Sequence, residues 1–140
     1  MTLLKNGLLG LAMMAFAGMA FTGPVLAQDD VPDSLTILFD LGSTQVRADQ
    51  RDVLDQAARL FRDGNPVVMI VSGSADTVGD PAANLDLSVI RARSVADGLV
   101  SRGIPIERLQ VLGRGNSELP VPTGDGVANQ DNRSVNITWR

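Results

Sequence analysis

A short apolar segment, PVVMIVSG (66–73), constrains the fold more than any other part of the chain. It lacks the alternation of a half-exposed strand, and this predicts a central strand that is buried on both faces. Apolar residues repeat at helical spacing before it, over about 48–63, and again after it, over about 81–102. Asp80 followed by proline is typical of a helix start, and Gly103 ends this second helix.

Three further segments have strand patterns: LTILF (35–39), ERLQVLG (107–113) and VNITW (135–139). The resulting order, β-α-β-α-β-β, predicts an α/β chain of the α+β sandwich type. We expect a mixed sheet with helices packed on it and right-handed crossovers. The connection 113–134 is rich in glycine and proline, and its length is typical of a loop with a function.

The first 27 residues differ from the rest, since they combine Lys5 with a long apolar run and a Val25-Leu26-Ala27 ending. This pattern predicts a signal peptide, residues 1–27, that is cleaved after Ala27. The alternative is an uncleaved membrane anchor, because residues 6–28 carry no charge and are long enough to span a bilayer. Residues 28–34 are expected to form a flexible leader and 35–140 the folded domain.

Composition excludes several classes of function. The chain has no cysteine, so it has neither disulfides nor a lipidated cysteine, and its net charge is −4 at pH 7, which disfavours nucleic acid as a partner. It also has no histidine, which removes Ser-His and Cys-His nucleophiles and the commonest ligand of transition metals. We therefore predict a protein that is not an enzyme and has no catalytic residue, no metal site and no cofactor.

The candidate site residues include an acid and an arginine that lie on either side of the start of the second helix. Asp76 follows the carboxyl end of the buried strand, where ligands of such sheets usually bind. Helical spacing places Leu85 on the apolar face of the second helix, which is expected in the core, and Asn84, Ser88 and Arg91 form a polar stripe that borders this face. Two interpretations remain open at this point: a structural Asp76–Arg91 ion pair, or a clamp for a ligand that carries both an amine and a carboxylate.

The same region resembles a known family. Its pattern of glycine, acid, asparagine and an arginine-alanine pair at fixed spacing is similar to the signature of OmpA-like domains. The matching residues are Gly73, Asp76, Gly79, Asn84, Leu87, Ser88, Arg91, Ala92 and Val95. ILFDLGST resembles the opening strand and turn of the family, GIPIERLQVLGRGNSELP its G-I-P and G-x-G-E region, and NRSV its N-R-R-V, so the resemblance covers about 35–140.

The resemblance implies a periplasmic module of the Gram-negative cell envelope that binds peptidoglycan and is associated with the outer membrane. Its ligand would be the diaminopimelate zwitterion of the stem peptide, with the ammonium on Asp76 and the carboxylate on Arg91. Asn84 would add an amide contact, Phe39 and Asp40 the opposite wall, and Arg133 the rim.

Two of these assignments have alternatives. Asp40 is also typical of a turn, and Arg133 of a solvent-facing loop charge. Ser74-Ala75 and Ser134 depart from the family pattern. At the level of function, the alternative is an adaptor or subunit of an envelope complex that uses the same fold to contact an outer-membrane or other envelope protein.

Overall fold

The computed structural model describes residues 31–140. The predicted signal peptide, the alternative anchor and residues 28–30 of the predicted leader lie outside the described residues. Among the residues that are described, no helix is both long and apolar enough to cross a membrane.

The described chain forms four strands and two long helices in the predicted order. Their bounds are β1 Ser34–Leu38, α1 Arg51–Gly64, β2 Met69–Gly73, α2 Pro81–Val100, β3 Leu109–Gly113 and β4 Ser134–Trp139. A short 3-10 turn, Ala48–Gln50, leads into α1. Asp80 caps α2 as predicted, because its side chain accepts a hydrogen bond from the Ala83 amide at 3.1 Å. β1 begins at Ser34, the last residue of the predicted leader.

The strands form one mixed sheet in the order β1-β4-β2-β3. β4 is antiparallel to both of its neighbours, whereas β2 and β3 are parallel, as expected for strands that are joined by a helix. The α+β architecture and the mixed sheet are therefore confirmed. The carboxyl ends of β1 and β2 and the amino end of β4 therefore lie at the same end of the sheet. The predicted site is at this end.

Both helices contribute to a single core on one face of the sheet. That core contains alternate residues of three strands together with the inner faces of α1 and α2: Leu35, Ile37, Met69, Val71, Val135, Ile137, Leu54, Ala57, Ala92 and Val95. Ile70 and Ser72, on the other face of β2, are half-buried. The expectation that β2 is buried on both faces was therefore wrong, because nothing in the described chain covers the second face as the helices cover the first.

The second helix also differs from its predicted orientation. Leu85 was expected in the core and is 46% exposed, whereas the polar residues Asn84, Ser88 and Arg91 are buried rather than at a border. Glycines explain the difference, since a Cβ on Gly73 would lie 2.0 Å from the Ser88 carbonyl oxygen. Because Gly73 and Gly113 have no side chain, the helix lies directly on the polar backbone at the ends of β2 and β3. This contact suits polar residues on the face of the helix that touches the sheet.

Candidate functional site

Asp76 lies in the loop after β2 and is almost fully buried, with 4% of its surface exposed. One carboxylate oxygen, Oδ1, accepts a hydrogen bond from the Val78 amide at 3.3 Å. The other, Oδ2, accepts one from Nη1 of Arg133 at 2.9 Å. Both oxygens are thus engaged in this state, and the ion pair of Asp76 is with Arg133 and not, as the structural interpretation had it, with Arg91.

Arg133 was considered as a solvent-facing loop charge, and that alternative was wrong. Its side chain is only 14% exposed. It precedes β4, and the antiparallel pairing of β4 with β1 holds its carbonyl 2.7 Å from the Phe39 amide. Besides the contact with Asp76, its Nε donates to the Phe39 carbonyl at 3.4 Å, which is a weak hydrogen bond.

Arg91 projects from α2 beneath this pair and has no exposed surface. Its three nitrogens each donate to a backbone carbonyl: Nε to Ser43 at 2.8 Å, Nη2 to Asp40 at 3.1 Å and Nη1 to Ser74 at 3.4 Å. The guanidinium also lies over the ring of Phe39, 5.4 Å from its centroid. Arg91 therefore ties the helix to the turn after β1 and to the loop after β2.

Burial lowers the pKa of the Arg91 guanidinium to about 10, an effect that the nearby carboxylate of Asp76 opposes and the charge of Arg133 reinforces. The side chain consequently remains charged at neutral pH. Asp76 thus lies near two guanidiniums, and the three side chains together carry an excess of one positive charge in a space largely withdrawn from water.

The two residues predicted for the opposite wall have different positions. Phe39 is fully buried and contacts both arginines, with its ring against Arg91 and its carbonyl toward Arg133. Asp40 serves mainly as a turn residue, because its carbonyl accepts from the Ser43 amide while its exposed carboxylate pairs with Arg47 at 3.3 Å. The structure therefore brings Phe39 to the site and directs the side chain of Asp40 away from it.

Asn84 is buried on α2, and its amide nitrogen donates to the Val78 carbonyl at 2.9 Å. It thereby holds the loop that carries Asp76. Ser88, one turn further along, accepts from the Gly115 amide at 2.8 Å and donates to the Leu85 carbonyl. These polar residues position the elements around the acid, and a contact between Asn84 and a ligand remains a prediction.

The long connection before β4 covers one side of the site. Thr77, next to Asp76, donates to the Gly124 carbonyl at 2.6 Å and accepts from the Val127 amide at 3.0 Å. The carbonyl of Thr77 also accepts from the Gly126 amide at 2.9 Å. Sequence reasoning missed Thr77, although its place beside the acid in the motif was a usable signal. These hydrogen bonds hold the loop to Thr77, the residue that follows the predicted ligand-binding acid Asp76.

One concave region of the described chain lies away from these residues. It is an open groove of about 410 Å³ between α1 and α2, with Arg51, Asp97 and Arg102 among its lining residues. It contains none of the predicted site residues. Across 31–140 we find no cluster of three or more acidic side chains of the kind that holds a metal ion.

Comparison with known proteins identifies the family of this chain. The model of the OmpA family matches residues 38–133, which include all six predicted site residues. Outer membrane protein A of Shigella flexneri is 32% identical over an alignment that covers 94% of this chain and 40% of that protein. The peptidoglycan-associated lipoprotein of Rhizobium meliloti is 35% identical, with 72% of this chain and 58% of that protein covered.

Among solved structures, the peptidoglycan-associated lipoprotein from Burkholderia pseudomallei superimposes with a TM-score of 0.69. That comparison covers 75% of this chain and 89% of the other at 21% identity, so it supports the fold alone. The chain spans between two fifths and three fifths of the length of the two relatives named above. Since the family model matches most of the described residues and contains the whole site, this chain belongs to the OmpA family.

Proposed function

We propose that this protein binds peptidoglycan non-covalently in the periplasm and thereby supports the integrity of the cell envelope. The ligand is the diaminopimelate of the stem peptide, whose free end carries an ammonium and a carboxylate on one carbon. No bond is made or broken, so the protein acts as a binding module and not as an enzyme. The name of one relative, the peptidoglycan-associated lipoprotein of Rhizobium meliloti at 35% identity, supports this assignment.

The observation that carries the proposal is the charge of the site. One carboxylate, Asp76, lies with Arg91 and Arg133 in a buried environment, where water screens charges poorly. The excess positive charge favours a ligand that brings a carboxylate, while Asp76 favours one that brings an ammonium. A zwitterion satisfies both requirements at once, and a simple amine or a simple acid satisfies only one.

Hydrogen-bond capacity supports the same ligand. A guanidinium has five N–H donors, and the described residues engage three of those on Arg91. The remaining two are available to a carboxylate. Because Arg91 has no exposed surface in this state, the carboxylate reaches its Nη atoms after the Arg133 side chain has moved. Arg133, which is partly exposed, is the first cation that a ligand meets.

The test is co-sedimentation of the purified protein with isolated sacculi of the diaminopimelate type and of the lysine type. Wild-type protein should bind the first kind and bind the second more weakly, because the lysine stem lacks the second carboxylate. Asp76→Asn should abolish most of the binding, since a lost charge-assisted hydrogen bond weakens binding roughly 10- to 100-fold. Thermal melts establish that each variant is folded.

Asp86→Asn is the matched control, because Asp86 is an exposed acid on α2 and its substitution changes the charge equally. It should bind as the wild type does. Equal binding to both kinds of sacculus would contradict the proposal. Binding that is lost after the wall is digested, while a protein partner still copurifies, would favour the adaptor function instead.

Export to the periplasm is part of the proposal and rests on the residue pattern of 1–27. Cleavage after Ala27 makes Gln28 the first residue of the exported protein. N-terminal sequencing of protein from the periplasmic fraction checks this, and a membrane-bound product that starts at Met1 would favour the uncleaved anchor.

A further inference from the structure

We propose, building on the peptidoglycan-binding function, that Arg133 determines specificity by competing with the ligand's ammonium for Asp76. In the state described here the Arg133 guanidinium occupies Oδ2 of Asp76 at 2.9 Å, where a ligand cation would bind. The other oxygen is engaged by the Val78 amide. Since only 4% of the Asp76 surface is exposed, a ligand ammonium reaches the carboxylate by replacing Arg133 and not by filling an empty position.

The contacts of Arg133 suit a side chain that moves while its backbone stays in place. The preceding residue, Asn132, is fully buried and forms two hydrogen bonds of 2.8 Å with the backbone of Val121. The backbone of Arg133 is paired with Phe39. Its side chain, by contrast, is held by the pair with Asp76 and by one weak contact at 3.4 Å. Displacement from Asp76 thus requires rotation of a side chain and no rearrangement of the sheet.

The consequence for specificity follows from the fate of the displaced guanidinium. When a ligand brings only an ammonium, Arg133 loses its carboxylate partner and receives none in return. When the ligand is a zwitterion, its own carboxylate becomes the new partner of Arg133, and the number of ion pairs increases. Arg133 therefore penalises amines that lack an adjacent carboxylate, and it does so without excluding them sterically.

The experiment compares two synthetic tripeptides, L-Ala-γ-D-Glu-meso-diaminopimelate and L-Ala-γ-D-Glu-L-Lys, by isothermal titration against wild type and R133Q. The side chain of the lysine peptide ends in an ammonium with no carboxylate on the same carbon. We expect R133Q to bind the lysine peptide about tenfold more tightly than wild type, because the competing cation is gone. Binding of the diaminopimelate peptide should stay equal or weaken, so the ratio of the two dissociation constants falls toward one.

R133K, which keeps the positive charge, is the second variant and is used whether or not R133Q folds. It should retain much of the discrimination because lysine also competes for Asp76. Arg93→Gln, a substitution of an exposed arginine on α2, is the matched control and should leave the ratio unchanged.

The inference is overturned when R133Q binds the lysine peptide no better than wild type does, or when R133K loses as much discrimination as R133Q. Failure of the underlying function is a separate result, namely that wild-type protein binds neither diaminopimelate-type sacculi nor the diaminopimelate peptide.

Discussion

Arg91 and Arg133 both lie beside Asp76, yet the structure holds them in different ways. Arg91, on α2, is completely buried, donates to three backbone carbonyls and stacks on Phe39. Arg133, before β4, retains some exposure and depends on the carboxylate for its one strong side-chain contact. The first arginine is fixed by the fold, and the second is held by the residue for which a ligand would compete.

The difference teaches how, in the same site, one guanidinium can be held in place by the fold while another can exchange its partner. A guanidinium that satisfies backbone carbonyls stabilises the junction of three elements, and its replacement leaves those carbonyls unsatisfied. A guanidinium that depends on one carboxylate can exchange that partner for another. Substitution of Gly73, substitution of each arginine and a change of pH test this comparison, in order of decreasing expected effect.

Gly73→Ala should have the largest effect, because it disturbs the packing that holds Arg91 in place. The new methyl group would lie 2.0 Å from the Ser88 carbonyl oxygen, so α2 and Arg91 would have to move away from the sheet. We expect the free energy of unfolding to fall by about 3 kcal/mol or more in urea denaturation. Gly64→Ala is the control, since nothing lies within 4 Å of a Cβ there, and it should change the stability by less than about 1 kcal/mol. Similar losses for the two variants would contradict the close approach of α2.

Substitution of each arginine by lysine separates the two roles directly. Arg91→Lys leaves one ammonium to serve three carbonyls and removes the stacking on Phe39, and we expect it to cost about 2 to 3 kcal/mol of stability. Arg133→Lys keeps a cation beside the buried carboxylate of Asp76 and loses the weak contact with the Phe39 carbonyl, so it should cost about 1 kcal/mol or less. Paired urea denaturations provide the comparison. Equal costs would show that the arginines are held alike.

Stability and ligand binding should both depend little on pH up to about pH 9, and above pH 10 they should change in opposite directions. The chain has no histidine, cysteine or tyrosine, and we expect constant stability and binding between about pH 6 and 9. The pKa of Arg91 in the folded state is lowered to about 10, below that of the unfolded chain, with Asp76 and Arg133 as the charges that face it. Above pH 10 the unfolded state therefore binds more protons, and the contribution of Arg91 to stability rises with pH.

Over the same range the ligand's ammonium and Arg91 both lose protons, so their ion pairs weaken and ligand binding should weaken. Unfolding midpoints and titrations at pH 7, 9 and 11 check both directions. A marked change in either quantity between pH 7 and 9 would contradict the assignment of the site charges.

The sequence predicted the order of elements, the cap at Asp80 and the place of Asp76, because these depend on local patterns that span a few residues. It could not identify Arg133 as the partner of Asp76, since the two are 57 residues apart and meet through the pairing of β4 with its neighbours. Nor could it foresee the surroundings of Arg91. The hydrogen-bond acceptors of that arginine are backbone carbonyls. Every residue has one, so residue types do not indicate which of them the arginine contacts.

The orientation of α2 was mispredicted for a related reason. Helical periodicity places Leu85 on the apolar face, but glycines at the ends of β2 and β3 let the helix lie on bare backbone. The glycines themselves were visible in the sequence as part of the family motif. Their effect on the helix depends on the register of β2 with β3, in which Gly73 is opposite Gly113, and periodicity alone does not contain that information.

The most direct test of the contrast between the two arginines is NMR of the guanidinium N–H groups in wild-type protein, followed during titration with the diaminopimelate tripeptide. Before ligand is added, Nε–H of Arg91 should exchange with solvent slowly and that of Arg133 quickly. On saturation the Arg133 resonance should shift strongly while the Nε–H of Arg91 stays protected. Equal exchange rates in the free protein, or an Arg133 resonance that the ligand leaves unchanged, would contradict the account.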